Sequence, residues 1–100
     1  MNKKNDIETL LLLRNIHKKP RSSQRKLAKD IGYSIGKLNY CLKKLQQKGL
    51  IKYNNFKKNP KKINYFYILT PAGLAAKSKI TLNYMERISK EYDELKKEID

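Results

Sequence analysis

One hundred residues make one ordinary domain, or a smaller domain with an appended element; with 39% apolar residues, 33% charged residues and no tryptophan, little interior remains to enclose a substrate. The net charge of +15 points to a polyanionic partner: residues 1–85 hold 20 bases against three acids, whereas 86–100 hold four bases against six acids. The single cysteine, Cys41, excludes an intramolecular disulfide and a cysteine-pair metal site, and the longest apolar run, Leu10 to Leu13, is far too short to span a bilayer.

The start carries no signal-peptide pattern, so a cytoplasmic, nucleoid-associated protein is expected. Asp6 can cap a first helix whose buried stripe is Ile7, Leu10, Leu11, Leu13 and Ile16, ending near 17–19 before Pro20. His17, the only histidine, sits near that end as a surface or capping group. After a short extended connection, Ser22 or Ser23 caps a second helix over Gln24 to Ile31, with Leu27, Ala28 and Ile31 inward and Gly32 closing it.

Tyr33 leads to Ser34, the cap of a third helix that ends near Gly49. Ile35, Leu38, Leu42 and Leu45 recur at steps of three and four, and this stripe faces a core. The opposite face presents Gly36, Lys37, Tyr40, Lys43, Lys44 and Gln47: cations, a phenol and an amide, with no acid. Cys41 flanks the core side as a small apolar residue. Helix, glycine turn, helix is the spacing of a helix-turn-helix, although an αα-corner in any small helical domain reads the same way.

The segment after the third helix favours the helix-turn-helix. Leu50 to Asn54 is strand-like, residues 55–62 form a polar turn with four lysines around Asn59 and Pro60, and Ile63 to Leu69 is the strongest strand of the chain. Two strands joined by a lysine-tipped loop after a candidate recognition helix make a wing. Lysines that merely keep a hairpin edge soluble are the bland alternative. Thr70 as N-cap and Pro71 at the first helical position then start a last helix running to about Glu98. Thr81, Met85, Ile88, Tyr92, Leu95 and Ile99 form a heptad seam, with Glu91 and Lys96 placed to attract across a parallel dimer. The same stripe could instead pack on the chain's own first helix.

The expected architecture is α+β, mainly α: a winged helix-turn-helix DNA-binding domain over 1–69 and a long C-terminal dimerisation helix over 70–100. Through the segments SQRKLAKDIGYSIGKLNYCLKKLQQKGLIKYNNF at 23–56 and YFYILTPAGLAAKSKIT at 65–81, the chain resembles winged-helix regulators of the MarR type. More narrowly it is similar to short MarR-type proteins described as exopolysaccharide (EPS)-associated transcriptional regulators. The resemblance implies a dimeric DNA-binding regulator, linked in bacteria to exopolysaccharide genes. The chain departs from larger MarR proteins in lacking their long flanking helices, the ligand crevice between them and an arginine at the wing tip.

On this reading the third helix lies in the major groove of double-stranded DNA, with Lys37, Tyr40 and Asn39 near base edges and Gly36 on the same face. Ser34, Lys43, Lys44 and Gln47 meet phosphate or the groove walls. Arg21, Ser23, Arg25 and Lys26 at the start of the second helix meet the flanking backbone, and Lys57, Lys58, Lys61 and Lys62 of the wing grip adjacent phosphates or the minor groove. A homodimer through the last helix completes the assembly. A competing reading is an RNA- or ribosome-associated basic winged helix in which Tyr53, Tyr65, Phe66 and Tyr67 stack bases. A protein-interaction adaptor working through the last helix is a third. No carboxylate pair, nucleophile with base, phosphate-cradling glycine loop or metal-ligand cluster supports an enzyme, and neither a cofactor nor a membrane is expected.

Overall fold

The computed structural model describes residues 3–19, 23–59 and 62–100, with side chains described outside 3–5, 55–59 and 62–65. Helix α1 spans Lys3–Lys18, α2 Gln24–Ile31 and α3 Ile35–Gln47; strands β1 (Ile51–Asn59) and β2 (Lys62–Leu69) come next, and α4 runs Pro71–Ile99. The fold is mainly helical with a small antiparallel two-stranded wing and a long final helix. The molecule is elongated, 65 × 26 × 21 Å.

The serine and threonine caps form as their positions suggest. Ser23 Oγ accepts from Lys26 N at 3.1 Å, Ser34 Oγ from Lys37 N at 3.1 Å and Thr70 Oγ1 from Gly73 N at 3.0 Å, each satisfying an otherwise orphaned helix-start amide. Gly32 and Gly49 take the left-handed conformation, φ +77° and +74°, that ends α2 and comes after α3. Helix α1 begins before Asp6, which therefore lies in its first turn; there its charge complements the positive helix end without being the cap.

Leu12, Leu13 and Ile16 of α1, Leu27 and Ala28 of α2, Leu38, Leu42 and Leu45 of α3 and Ile51 of β1 form one core. Two assignments on the buried stripes are corrected. In α1, Leu12 is buried while Ile7 and Leu11 are exposed, because four consecutive leucines spread apolar surface around most of the helix and periodicity alone does not choose the inner side. In α3, Ile35 is 44% exposed, since at the first helical position it lies beyond the point where α1 and α2 cover the stripe that Leu38 starts.

The wing is also longer than its sequence suggests. Pairing runs from Ile51 opposite Leu69 out to Asn59 opposite Lys62, with an irregularity between Lys57 and Asn59. Lys57, Lys58 and Lys62 therefore belong to strand backbone rather than to a broad loop. Backbone pairing carries the ladder through these residues although asparagine and lysine have low strand propensity, a preference that context readily overrides.

At the wing base, the rings of Tyr53 and Tyr67 stand 4.6 Å apart at 37°, and Gln24 Nε2 donates to the Tyr67 hydroxyl at 3.2 Å. That bond ties β2 to the start of α2. Burial pushes the Tyr67 phenol above its usual value of 10.0, opposed by the Gln24 donor and reinforced by Tyr53; burial, then the Glu8 carboxylate, raises Tyr33 likewise. A raised phenol binds its proton more tightly in the folded state, so its stabilisation is complete below about pH 10 and is lost as pH rises through the folded value. Thermal midpoints measured across that range should fall on the alkaline side, and Tyr67→Phe should flatten the fall; an unchanged alkaline slope would contradict the assignment.

Candidate nucleic-acid interface

Two capped helix starts, of α2 and α3, bear basic side chains, and the outer face of α3 is open. Gly36, Lys37, Asn39, Tyr40, Lys43, Lys44 and Gln47 are all exposed, Tyr40 by 61%, while Leu38, Leu42 and Leu45 hold the helix down. No acid lies in α3. Ser34 spends one oxygen lone pair on its cap, and its hydroxyl proton remains available as a donor, as does that of Ser23. Ser23, Arg25 and Lys26 are exposed at the start of α2.

The face is internally organised. Lys44 Nζ lies 4.7 Å from the Tyr40 ring centroid, and hydrogen bonding to Tyr40, then its charge, raises the lysine above its usual value. Lys44 therefore carries its positive charge at neutral pH. Lys37 lies 4.1 Å over the Tyr33 ring and 3.4 Å from Glu8 Oε1, a carboxylate contributed by α1. Sequence reasoning does not link Glu8 to this face, since nothing in local spacing joins residues 29 apart. Behind the face, a cleft of about 110 Å³ between α1 and α3 is lined by Glu8, Thr9, Tyr40, Cys41 and Lys44 among others.

The wing lysines are placed only in part. Lys57 and Lys62 hold positions in the strand register, Lys58 falls at the irregularity between Lys57 and Asn59, and Arg21 and Lys61 lie outside the described residues. The expected seam on α4 faces outward: Met85, Ile88, Tyr92, Leu95 and Ile99 are all exposed, and Thr81, half-buried, donates its hydroxyl to Lys77 O at 2.6 Å. Helix α4 runs alongside α1: Lys77 Nζ is 3.0 Å from His17 Nδ1, and further along α4 Tyr84, Arg87, Ile88 and Glu91 line a groove together with Ile7 of α1. Among the described residues no group of histidine, cysteine and acidic side chains could hold a metal, and no helix is long and apolar enough to cross a membrane.

Three packed helices, a two-stranded ribbon directly after the third and an exposed basic third helix constitute a winged helix-turn-helix fold. A family model described as winged helix-turn-helix DNA-binding matches residues 6–52. The fuller arrangement, with the long last helix, is that of MarR family transcription regulators. One such regulator superposes with a TM-score of 0.75 at 17% identity, covering 91% of this chain and 61% of its own. Staphylococcus aureus MarR in complex with salicylate and kanamycin gives 0.72 at 18% identity, covering 92% and 65%. Streptococcus pneumoniae FabT in complex with DNA gives 0.67 at 18%, covering 87% and 59%. The chain thus spans about three-fifths of the length of these structures. No curated protein matches it in sequence.

Proposed function

We propose that the chain is a homodimeric transcription regulator that reads double-stranded DNA with α3, residues 1–69 serving as the DNA-binding unit and 70–100 as the dimerising helix. The observation that carries this is the outer face of α3: seven exposed polar, glycine or aromatic positions with no acid, on a helix anchored by three buried leucines. Lys37, Asn39 and Tyr40 are assigned to base edges. Lysine donates to guanine O6 and N7, an amide pairs with adenine, and Gly36 lets the backbone come close. Ser23, Arg25, Lys26, Ser34, Lys43, Lys44 and Gln47 are assigned to phosphates and groove walls, with Arg21 and the wing lysines Lys57, Lys58, Lys61 and Lys62 beside them.

The likeness to FabT, whose structure holds DNA, supports duplex DNA as the ligand. The ring of Tyr67 is engaged by Tyr53 and its hydroxyl by Gln24, which argues against base stacking at that position and so against the RNA reading. Dimerisation through Thr81, Met85, Ile88, Tyr92, Leu95 and Ile99 is supported by the exposure of that seam from Met85 onward. The resemblance of 23–56 and 65–81 to EPS-associated regulators supports exopolysaccharide genes as the regulated class.

Binding isotherms on duplexes of varied sequence test the division of labour. Tyr40→Ala should compress the spread of affinities across sequences, whereas Lys43→Ala should lower all of them by a similar factor. Equal loss of discrimination from both variants would contradict it.

A further inference from the structure

Phosphates recur at every step of a duplex, so an unrestrained lysine at the leading turn of a groove-binding helix favours any sequence. Lys37 is in that turn, and it is restrained. Its ammonium lies 3.4 Å from Glu8 Oε1 and 4.1 Å from the centroid of the Tyr33 ring, so a carboxylate from α1 and an aromatic face from the α2–α3 turn hold it together. Lys43 and Lys44, further along the helix, pair with no carboxylate among the described residues. Residues 1–85 contain only three acids, and one of them has been set against this lysine.

The pair contributes little to folding. Its side chains are 48% and 29% exposed, and solvent screens such contacts strongly. Its effect falls instead on binding. With Glu8 beside it, the charge of Lys37 is neutralised and an approaching phosphate meets a like-charged carboxylate. Guanine O6 and N7 are neutral, so Glu8 does not repel them, and they can accept the ammonium N–H donors that Glu8 leaves unused, at one base pair only.

We infer that Glu8 is a specificity-determining residue, which holds Lys37 against Tyr33 and so suppresses sequence-independent binding more than binding at the proper site. The inference rests on the DNA-binding reading proposed for α3. Glu8 need not touch DNA; it acts through Lys37 and is a positioning residue.

Glu8→Gln keeps the side-chain shape and removes the charge, while Asp6→Asn removes the same charge two residues away as a control. Salt titrations of the full chain against a random-sequence duplex and against a duplex selected by the wild type separate the possibilities. For Glu8→Gln the account predicts about fivefold tighter binding to the random duplex, a log–log salt slope steeper by about 1.8 per dimer for one more phosphate contact in each protomer, and a correspondingly smaller selected-to-random ratio. Asp6→Asn should leave that ratio unchanged, and in a Lys37→Gln background Glu8→Gln should have no more effect than Asp6→Asn. A wild-type chain that leaves both duplexes unbound overturns the DNA-binding reading and this one with it. A wild type that binds, with Glu8→Gln indistinguishable from Asp6→Asn, overturns the role of Glu8 alone.

Discussion

Raising salt from about 50 to about 200 mM should weaken duplex binding by about a thousandfold or more, the loss set by counterion release when roughly 6–10 phosphates are neutralised. The structure supplies the cations. Arg25, Lys26, Lys43 and Lys44 are exposed on α2 and α3, and the proposed two-fold dimer would double them before any wing lysine is counted. Lysine and arginine are fully protonated near neutral pH, so protonation does not limit the effect there. Plotting the logarithm of affinity against that of salt concentration gives the number of contacts directly, and Lys43→Ala should reduce the slope per dimer by about two units, one for each protomer. A nearly flat plot would show that phosphates are not the dominant partners.

Gly73→Ala should unfold the chain many degrees earlier, because the α4 entry is built on a close backbone approach. A Cβ at Gly73 would fall inside the van der Waals surface of the Leu50 carbonyl oxygen, and that oxygen is held in place by accepting Thr70 N at 3.0 Å. Thr70 is fixed in turn by its hydroxyl donating to Gly49 O and accepting from Gly73 N. No flexible side chain can yield here; the last helix itself must shift. Overpacking typically costs about 1–3 kcal/mol, and a clash against backbone belongs at or above the upper end. For a domain of this size about 3 kcal/mol lowers the melting temperature by roughly 12 °C or more. Gly36→Ala is the contrast: nothing lies within 4 Å of its Cβ, so helix propensity should stabilise the fold by about 0.5–1 kcal/mol. Gly36 faces the groove on this account, so the same variant should bind DNA less tightly while melting later. Thermal melts of both variants decide the matter, and a Gly73→Ala protein as stable as the parent would contradict the junction described here.

The elements with local chemical signatures were legible in the sequence. Ser23, Ser34 and Thr70 cap their helices, Gly32 and Gly49 take the left-handed turns, and Pro71 opens α4 at the expected residue. These are decided within four residues, where spacing carries the information. Features that required the structure depend on residues far apart. Leu12 rather than Leu11 faces inward because of where α2 and α3 sit, and Ile35 is uncovered for the same reason. The wing extends past Asn54 through backbone pairing with β2, a partner distant from local sequence pattern. On the candidate interface, the polar face of α3 is apparent from helical periodicity alone, whereas the Glu8–Lys37 contact joins α1 to α3 and leaves no trace in local pattern.

The most direct test of the central reading is selection from a pool of random duplex DNA at near-physiological salt, with structured RNA as competitor. The account predicts enrichment of an inverted repeat with half-sites about one helical turn apart, undiminished by the RNA. Salt-sensitive retention with no enriched motif, or displacement of the duplex by RNA, would contradict it.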